Sequence, residues 1–142
     1  MYSLIKHRMY LYKNKLEKDK EWVLNKKNHR IKGPAIEWNS NEKWWVINGK
    51  IHRENDLPAI ENKTYKKYFL KGQEYFLQEN GTREFVDFHG RFHRLDFPAV
   101  EYSNGDQEWW NYGKRHRLDG PAVIIGNKQF WFEHGEFIKC SN

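Results

Sequence analysis

Tyr112-Gly113-Lys114-Arg115-His116-Arg117-Leu118-Asp119-Gly120-Pro121-Ala122 is the fullest copy of a phrase that returns through this chain. Asn48-Gly49-Lys50-Ile51-His52-Arg53 leads in the same way to Pro58-Ala59, and His89-Gly90-Arg91-Phe92-His93-Arg94 leads to Pro98-Ala99. Lys27-Asn28-His29-Arg30, leading to Pro34-Ala35, has lost the glycine. Taken as register, Lys26, Gly49, Gly72, Gly90, Gly113 and Gly135 stand 23, 23, 18, 23 and 22 residues apart. A short fixed period marks a repeat architecture, in which each unit buries its apolar face by stacking on its neighbours. That points away from a compact enzyme and toward a scaffold or binding surface.

Columns drawn from this register predict strands. Four residues before the mark stand Trp22, Trp45, Tyr68, Val86, Trp109 and Trp131; two before it stand Leu24, Ile47, Leu70, Phe88, Asn111 and Glu133. Both columns share one face of a period-two strand, which is read as the main buried face. The opposite column, Val23, Val46, Phe69, Asp87, Trp110 and Phe132, is also mostly apolar, so the second face is expected to be partly covered. An earlier strand opens each unit at Pro34–Trp38, Pro58–Glu61, Pro98–Tyr102 and Pro121–Ile125. Turn formers separate the two strands, and Asn104-Gly105 is a strong hairpin signal because both residues tolerate positive φ. The predicted unit is strand, tight turn, strand, glycine turn. Stacked in order, such units give an all-β, elongated antiparallel meander of roughly ten to twelve strands, about two per repeat. It forms a single repeat domain over residues 1–142 with about six units. Two units are degenerate. His7-Arg8 starts the first without Pro-Ala, and the copy from Gly72 to Gly90 carries Tyr75-Phe76 where His-Arg belongs, implying a bend or a tighter hairpin.

Composition agrees with such a fold. The 142 residues include seven Trp, eight Tyr and nine Phe, too much aromatic area for a disordered chain. A mean hydropathy of −1.04 implies much surface for the core, as an elongated repeat has. No secretory leader is read at the N-terminus, and apolar runs such as Trp44–Ile47 are too short to cross a membrane. Cys140 is the single cysteine, so no internal disulfide forms and a reducing compartment is expected. Residues 1–50 hold 12 Lys/Arg against 5 Asp/Glu, whereas residues 51–142 hold 13 against 14. The basic patch is drawn around Lys13, Lys15, Lys18, Lys20, Lys26, Lys27, Arg30 and Lys32, and an acidic partner is one reading of it.

The repeat His116-Arg117-Leu118-Asp119-Gly120-Pro121-Ala122, preceded by Trp109-Trp110 and Gly113, resembles the MORN-like hairpin repeats of giant DNA viruses and bacteriophages. Those repeats are related to a bacterial antitoxin-like family. His93–Ala99 departs from the pattern by Phe97 for glycine, and His52–Ala59 carries an extra residue. The resemblance covers about residues 20–138 and implies a hairpin repeat protein, viral, in a virion or host-cell cytoplasm. It identifies a fold better than an activity, because fold does not fix function.

The repeated His-Arg pair invites a metal reading, but equivalent positions two strands apart lie about 9–10 Å from each other. Zinc needs nitrogen ligands at about 2.0–2.1 Å, so no metal or other cofactor is expected. Arg94 with Asp96, and Arg117 with Asp119, are read as local ion pairs, and the histidines as stacking beside the tryptophans and donating to turn carbonyls. No nucleophile or phosphate loop stands in the repeated framework, so no catalytic residue is assigned. The expected function is a non-enzymatic docking surface for a viral or host protein, a structural or accessory role, with self-association through sheet edges. Trp44, Trp110 and Tyr112 are the anchor candidates, and Arg53, Arg94 and Arg117 the polar ones. A nucleic-acid-binding protein using basic and aromatic residues is the alternative.

Overall fold

A computed structural model describes residues 3–6 and 18–142, with side chains from residue 20 onward. His7-Arg8 lies outside the described residues, among which every regular element is a strand. The chain divides into two compact units, Met1–Glu74 and Tyr75–Asn142. The first holds β1 (Ser3–Lys6), β2 (Lys18–Leu24), β3 (Lys27–Asn28), β4 (Ile36–Trp38), β5 (Lys43–Trp44), β6 (Val46–Ile47), β7 (Lys50–Ile51), β8 (Ile60–Glu61) and β9 (Lys66–Leu70). Here β1, β2, β4, β5, β8 and β9 pair in that order, β3 folds back on β2, and β6 and β7 form a separate ladder.

From β10 (Gln73–Leu77), whose last residues open the second unit, follow β11 (Arg83–Phe85), β12 (Val100–Glu101), β13 (Gln107–Glu108), β14 (Trp110–Asn111), β15 (Lys114–Arg115), β16 (Val123–Ile125), β17 (Lys128–Glu133) and β18 (Glu136–Ser141). The order is β10, β11, β12, β13, β16, β17, β18, with β14 and β15 as the separate ladder. Every pairing is antiparallel, and the fold class is all-β in meander order, as the repeat predicts.

The unit differs from the expected one in a way that moves the core. In the repeats at Trp45 and Trp109 the second strand is not continuous. The Trp45 amide donates to the Ala59 carbonyl at 2.8 Å and its carbonyl accepts from the His52 amide at 3.0 Å. Residues before Trp45 pair in the main sheet, and residues after it pair in the β6–β7 hairpin. Trp109 divides β13 from β14 in the same way, bonding Ala122 at 2.7 Å and His116 at 3.1 Å. A period-two pattern cannot be carried across such a break, because side-chain parity restarts with the new partner.

The fully buried residues are therefore the Pro-Ala strands. Ala35, Ile36, Ala59, Ile60, Ala99, Val100, Ala122 and Val123 are core, joined by Val46, Tyr75 and Phe85. The tryptophan column, expected there, is only half-buried.

One column assignment also shifts. Phe85, not Val86, bonds the Ala99 carbonyl at 2.7 Å and the His93 amide at 3.1 Å, so it stands where Trp45 and Trp109 stand. The following turn holds one extra residue, and Phe88 is pushed out to 91 % exposure. Asp87 closes that longer turn, its carboxylate accepting from the His89 and Arg91 amides at 2.9 and 3.0 Å and pairing with the Arg91 guanidinium at 2.7 Å. In the glycine-marked turns elsewhere two residues suffice. Asn48 and Gly49 have φ of 50° and 79°, and Tyr112 and Gly113 have 45° and 80°, the type I′ geometry that matches strand twist. At the other end of the hairpins the Asn104-Gly105 turn is wider than its sequence suggests. Only Gly105 is left-handed, while the Asn104 side chain accepts from the Asp106 amide at 3.0 Å. The degenerate copy is a plain hairpin in which Tyr75 pairs with Phe85, ring centroids 5.2 Å apart.

Phe85→Ala is expected to cost about 3–5 kcal/mol in chemical denaturation, as for a fully buried aromatic. Phe88→Ala should stay within about 0.5 kcal/mol. The reverse order would return Phe88 to the core and undo this register. Asp87 gives a pH test. Burial opposes its ionisation, but the Arg91 side chain and the Arg91 and His89 amides outweigh that and hold its pKa below the ordinary 3.8. A lowered folded pKa gives stability present above the unfolded value and lost as pH falls through the folded one. The His89 and Arg91 amides should thus stay protected from hydrogen exchange at neutral pH and loosen below about pH 3.8. Asp87→Asn should flatten that profile.

Candidate docking surface

Each arginine of the repeat is held in the same way by three partners. Arg30, Arg53, Arg94 and Arg117 donate to the Pro34, Pro58, Pro98 and Pro121 carbonyls at 3.1, 2.8, 3.1 and 3.3 Å. Their guanidinium carbons sit over Trp22, Trp45, Phe85 and Trp109 at 3.8, 3.8, 3.6 and 4.0 Å from the ring centroids. A carboxylate completes each set, with Glu37 at 4.0 Å, Glu61 at 3.9 Å, Glu101 at 2.6 Å and Asp119 at 2.9 Å. The Arg117–Asp119 pair is the one read from the sequence. Arg94 instead takes Glu101, because Asp96 sits at a left-handed φ of 62° in the loop and the Pro-Ala-Val-Glu strand brings Glu101 under the guanidinium. Burial pulls the Arg94 pKa down, and Glu101 works against that.

The histidines lock one repeat to the next. Nδ1 of His52, His93 and His116 accepts the backbone N–H of Lys71, Tyr112 and His134 at 3.1, 3.3 and 3.1 Å, and Nδ1 of His29 lies 3.1 Å from the Asn48 amide nitrogen and 2.6 Å from the Asn48 side-chain oxygen. The expected donation to turn carbonyls is thus reversed: the ring supplies the acceptor that the first turn residue's N–H needs. His93 stacks on Tyr112 at 3.9 Å and His116 on His134 at 4.4 Å, so these rings stack on turn residues, not beside the tryptophans. Among the described residues no three His, Cys, Asp or Glu side chains converge in a way that could hold a metal ion.

The candidate anchors fare differently. Trp44 packs with Trp38 against the Ala35–Ile36–Val46 cluster and donates its indole N–H to Glu42. Trp110 is half-buried, its indole N–H donating to Glu108 at 2.9 Å and its ring 5.4 Å from Phe92. Both are bound into the fold. Tyr112 is 54 % exposed at a hairpin tip. Arg53, Arg94 and Arg117 are occupied by the loop they close. Of the basic patch, Lys13 and Lys15 lie outside the described residues and Lys18 is described in backbone only. Lys20 pairs with Glu37 at 3.2 Å, and Arg30 is held over Trp22. Lys26, Lys27 and Lys32 are exposed.

The structure adds residues that the strand columns missed. In three of the four His-Arg loops the next residue is aliphatic and stands in solvent, Ile31 at 71 %, Leu95 at 70 % and Leu118 at 77 % exposure, whereas Glu54 follows Arg53. Phe97 is exposed in the same loop as Leu95, and Leu57 in the loop with the inserted residue. Their signal was in the motif, where three of the four copies carry an apolar residue three before the proline, the exception being Asn55 before Pro58. Folding gives no reason for it, since the arginine and proline already close the loop. Compared with protein-family models, curated proteins and solved structures, the chain matches none, so the MORN-like resemblance rests on the residues quoted for it.

The lock can be tested at His52. His52→Leu removes the acceptor for the Lys71 amide and should cost about 1 kcal/mol, with faster hydrogen exchange at Lys71. His52→Asn, whose side-chain oxygen stands near the place of Nδ1, should recover most of that protection. Equal loss in both variants would mean the ring acts by packing alone.

Proposed function

We propose that this protein is a non-catalytic repeat scaffold that docks another protein along its His-Arg loops. The observation that carries this reading is the aliphatic side chain presented at the same loop position by Ile31, Leu95 and Leu118. Single exposed apolar residues are ordinary; recurrence at one repeat position is not, because equivalent residues of stacked repeats form one row. Leu95 and Leu118 belong to successive His-Arg repeats of the second unit, about 9–10 Å apart for a two-strand spacing. The arginine clamps hold each loop by both ends, so little conformational freedom is lost on binding. Tyr112 remains the aromatic anchor of the original set that faces solvent. The viral setting, in virion or host-cell cytoplasm, belongs to the same proposal and rests on the resemblance alone.

Leu95→Ser with Leu118→Ser should leave melting within about 0.5 kcal/mol of the parent, as for exposed positions. The double variant should lose a partner that the parent protein captures from its native setting and that a Phe76→Ser control, also at an exposed position, still captures. Equal capture by all three proteins would remove the loop row as the docking surface.

A further inference from the structure

The three glycine-marked turns of the first unit form an edge with a different chemistry. Leu24–Asn28, Ile47–Ile51 and Leu70–Gln73 contain Lys26, Lys27, Lys50 and Lys71 and no acidic residue. The turns are bonded one to the next, Gly49 N–H to the Asn28 carbonyl at 2.8 Å and Gly72 N–H to the Ile51 carbonyl at 2.7 Å. The aliphatic stem of Lys27 lies against Gly49, and that of Lys50 against Gly72, each within 3.6 Å of where a Cβ would stand. These stems are therefore laid along the edge, with the ammonium groups at its rim. All four lysines are exposed, and Lys26, Lys27 and Lys50 form no ion pair among the described residues. The unit as a whole holds 17 Lys/Arg against nine Asp/Glu, a net +8.

We infer that this edge binds the phosphate backbone of a nucleic acid. From Lys26 to Lys71 the ridge crosses two repeats, roughly 20 Å at two strand spacings per repeat. That is a line of charge on the scale of a few successive phosphates. A linear ridge suits a linear polyanion. The turn tips, Asn25, Asn48 and Lys71, carry nothing apolar to enter a bilayer or to anchor a folded protein, both of which need such groups. No aromatic residue stands at these tips, so recognition is through phosphates and is independent of sequence. The surface uses other residues than the His-Arg loop row and stands or falls separately from it.

The test is fluorescence anisotropy of the full chain with a labelled double-stranded DNA of random sequence across 50–200 mM salt. Neutralisation of about four phosphates predicts a slope of log K against log salt near −3.6. Replacing Lys26, Lys27, Lys50 and Lys71 by Gln should cut affinity at least tenfold at low salt and flatten the slope by about one for each lysine. A control with Lys43, Lys63 and Lys66 replaced by Gln, away from this edge, should keep the parent slope. Circular dichroism and melting check that each variant is folded. No binding at 50 mM salt overturns the proposal, as does equal loss in the control, which would mean diffuse charge. It is also overturned if neutralising Lys13, Lys15 and Lys18 abolishes binding while the ridge variant retains it. Binding to phosphatidylserine vesicles without binding to DNA would replace the nucleic acid with a membrane surface.

Discussion

The arginine that follows each repeat histidine holds the structure together because it satisfies groups that no regular strand can reach. The loop from His-Arg to Pro-Ala leaves the ladder, so its proline carbonyl needs a donor from elsewhere. The guanidinium supplies that donor while its flat face covers the aromatic ring where the strand breaks. A charged hydrogen bond contributes about 1.5–3 kcal/mol, and a partly desolvated cation over a ring adds about 0.5–2. Lysine in the same place would give up both the stacking and the fork, since its ammonium is a hydrated point charge. The carboxylate is the variable partner. Glu37, Glu61 and Glu101 come from the Pro-Ala strand, and where Ile124 replaces that glutamate Arg117 turns to Asp119.

From this clamp the remaining architecture follows. An aromatic residue whose amide and carbonyl bond two different segments can no longer sit in one ladder, so the repeats at Trp45 and Trp109 split between a main sheet and a short turn hairpin. The main sheet buries alanine and a β-branched residue, small enough for strands to pack closely. The short hairpins stack through a glycine amide, and the histidine of one repeat accepts the first turn N–H of the next. Cooperation between neighbours is therefore written in backbone hydrogen bonds as well as in apolar burial. What stays in solvent is what these bonds do not use: the aliphatic loop residues, the hairpin tips and the lysine rims.

Those unused parts separate by chemistry. The loops offer isolated aliphatic side chains on a rigid base, which suits a protein surface. The turn segments of the first unit carry lysines, no acidic residue of their own and no apolar tip, which suits phosphate. In the second unit the same turn positions are chemically different: Asp87 neutralises Arg91, Phe88 and Tyr112 occupy the tips, and Glu136 stands where Lys50 stands in the first. One backbone plan thus carries unlike surfaces, because turn geometry constrains φ and leaves most tip side chains free.

The sequence alone determined the period, the all-β class, the Pro-Ala strands and the places of the glycine turns, because each depends on local chemistry: positive φ, the fixed proline φ, and small or β-branched residues in a strand. It also placed Arg117 beside Asp119, two residues away in an extended loop. Only the tertiary structure decided which face was core, that Phe85 rather than Val86 lies under an arginine, that Arg94 takes Glu101, and that Trp44 and Trp110 are bound in while Leu95 and Leu118 are out. Each of these depends on where the strand changes partner at its aromatic residue. That choice is made by carbonyls of Ala59, Ala99 and Ala122 more than a dozen residues further along the chain, so no local pattern could report it.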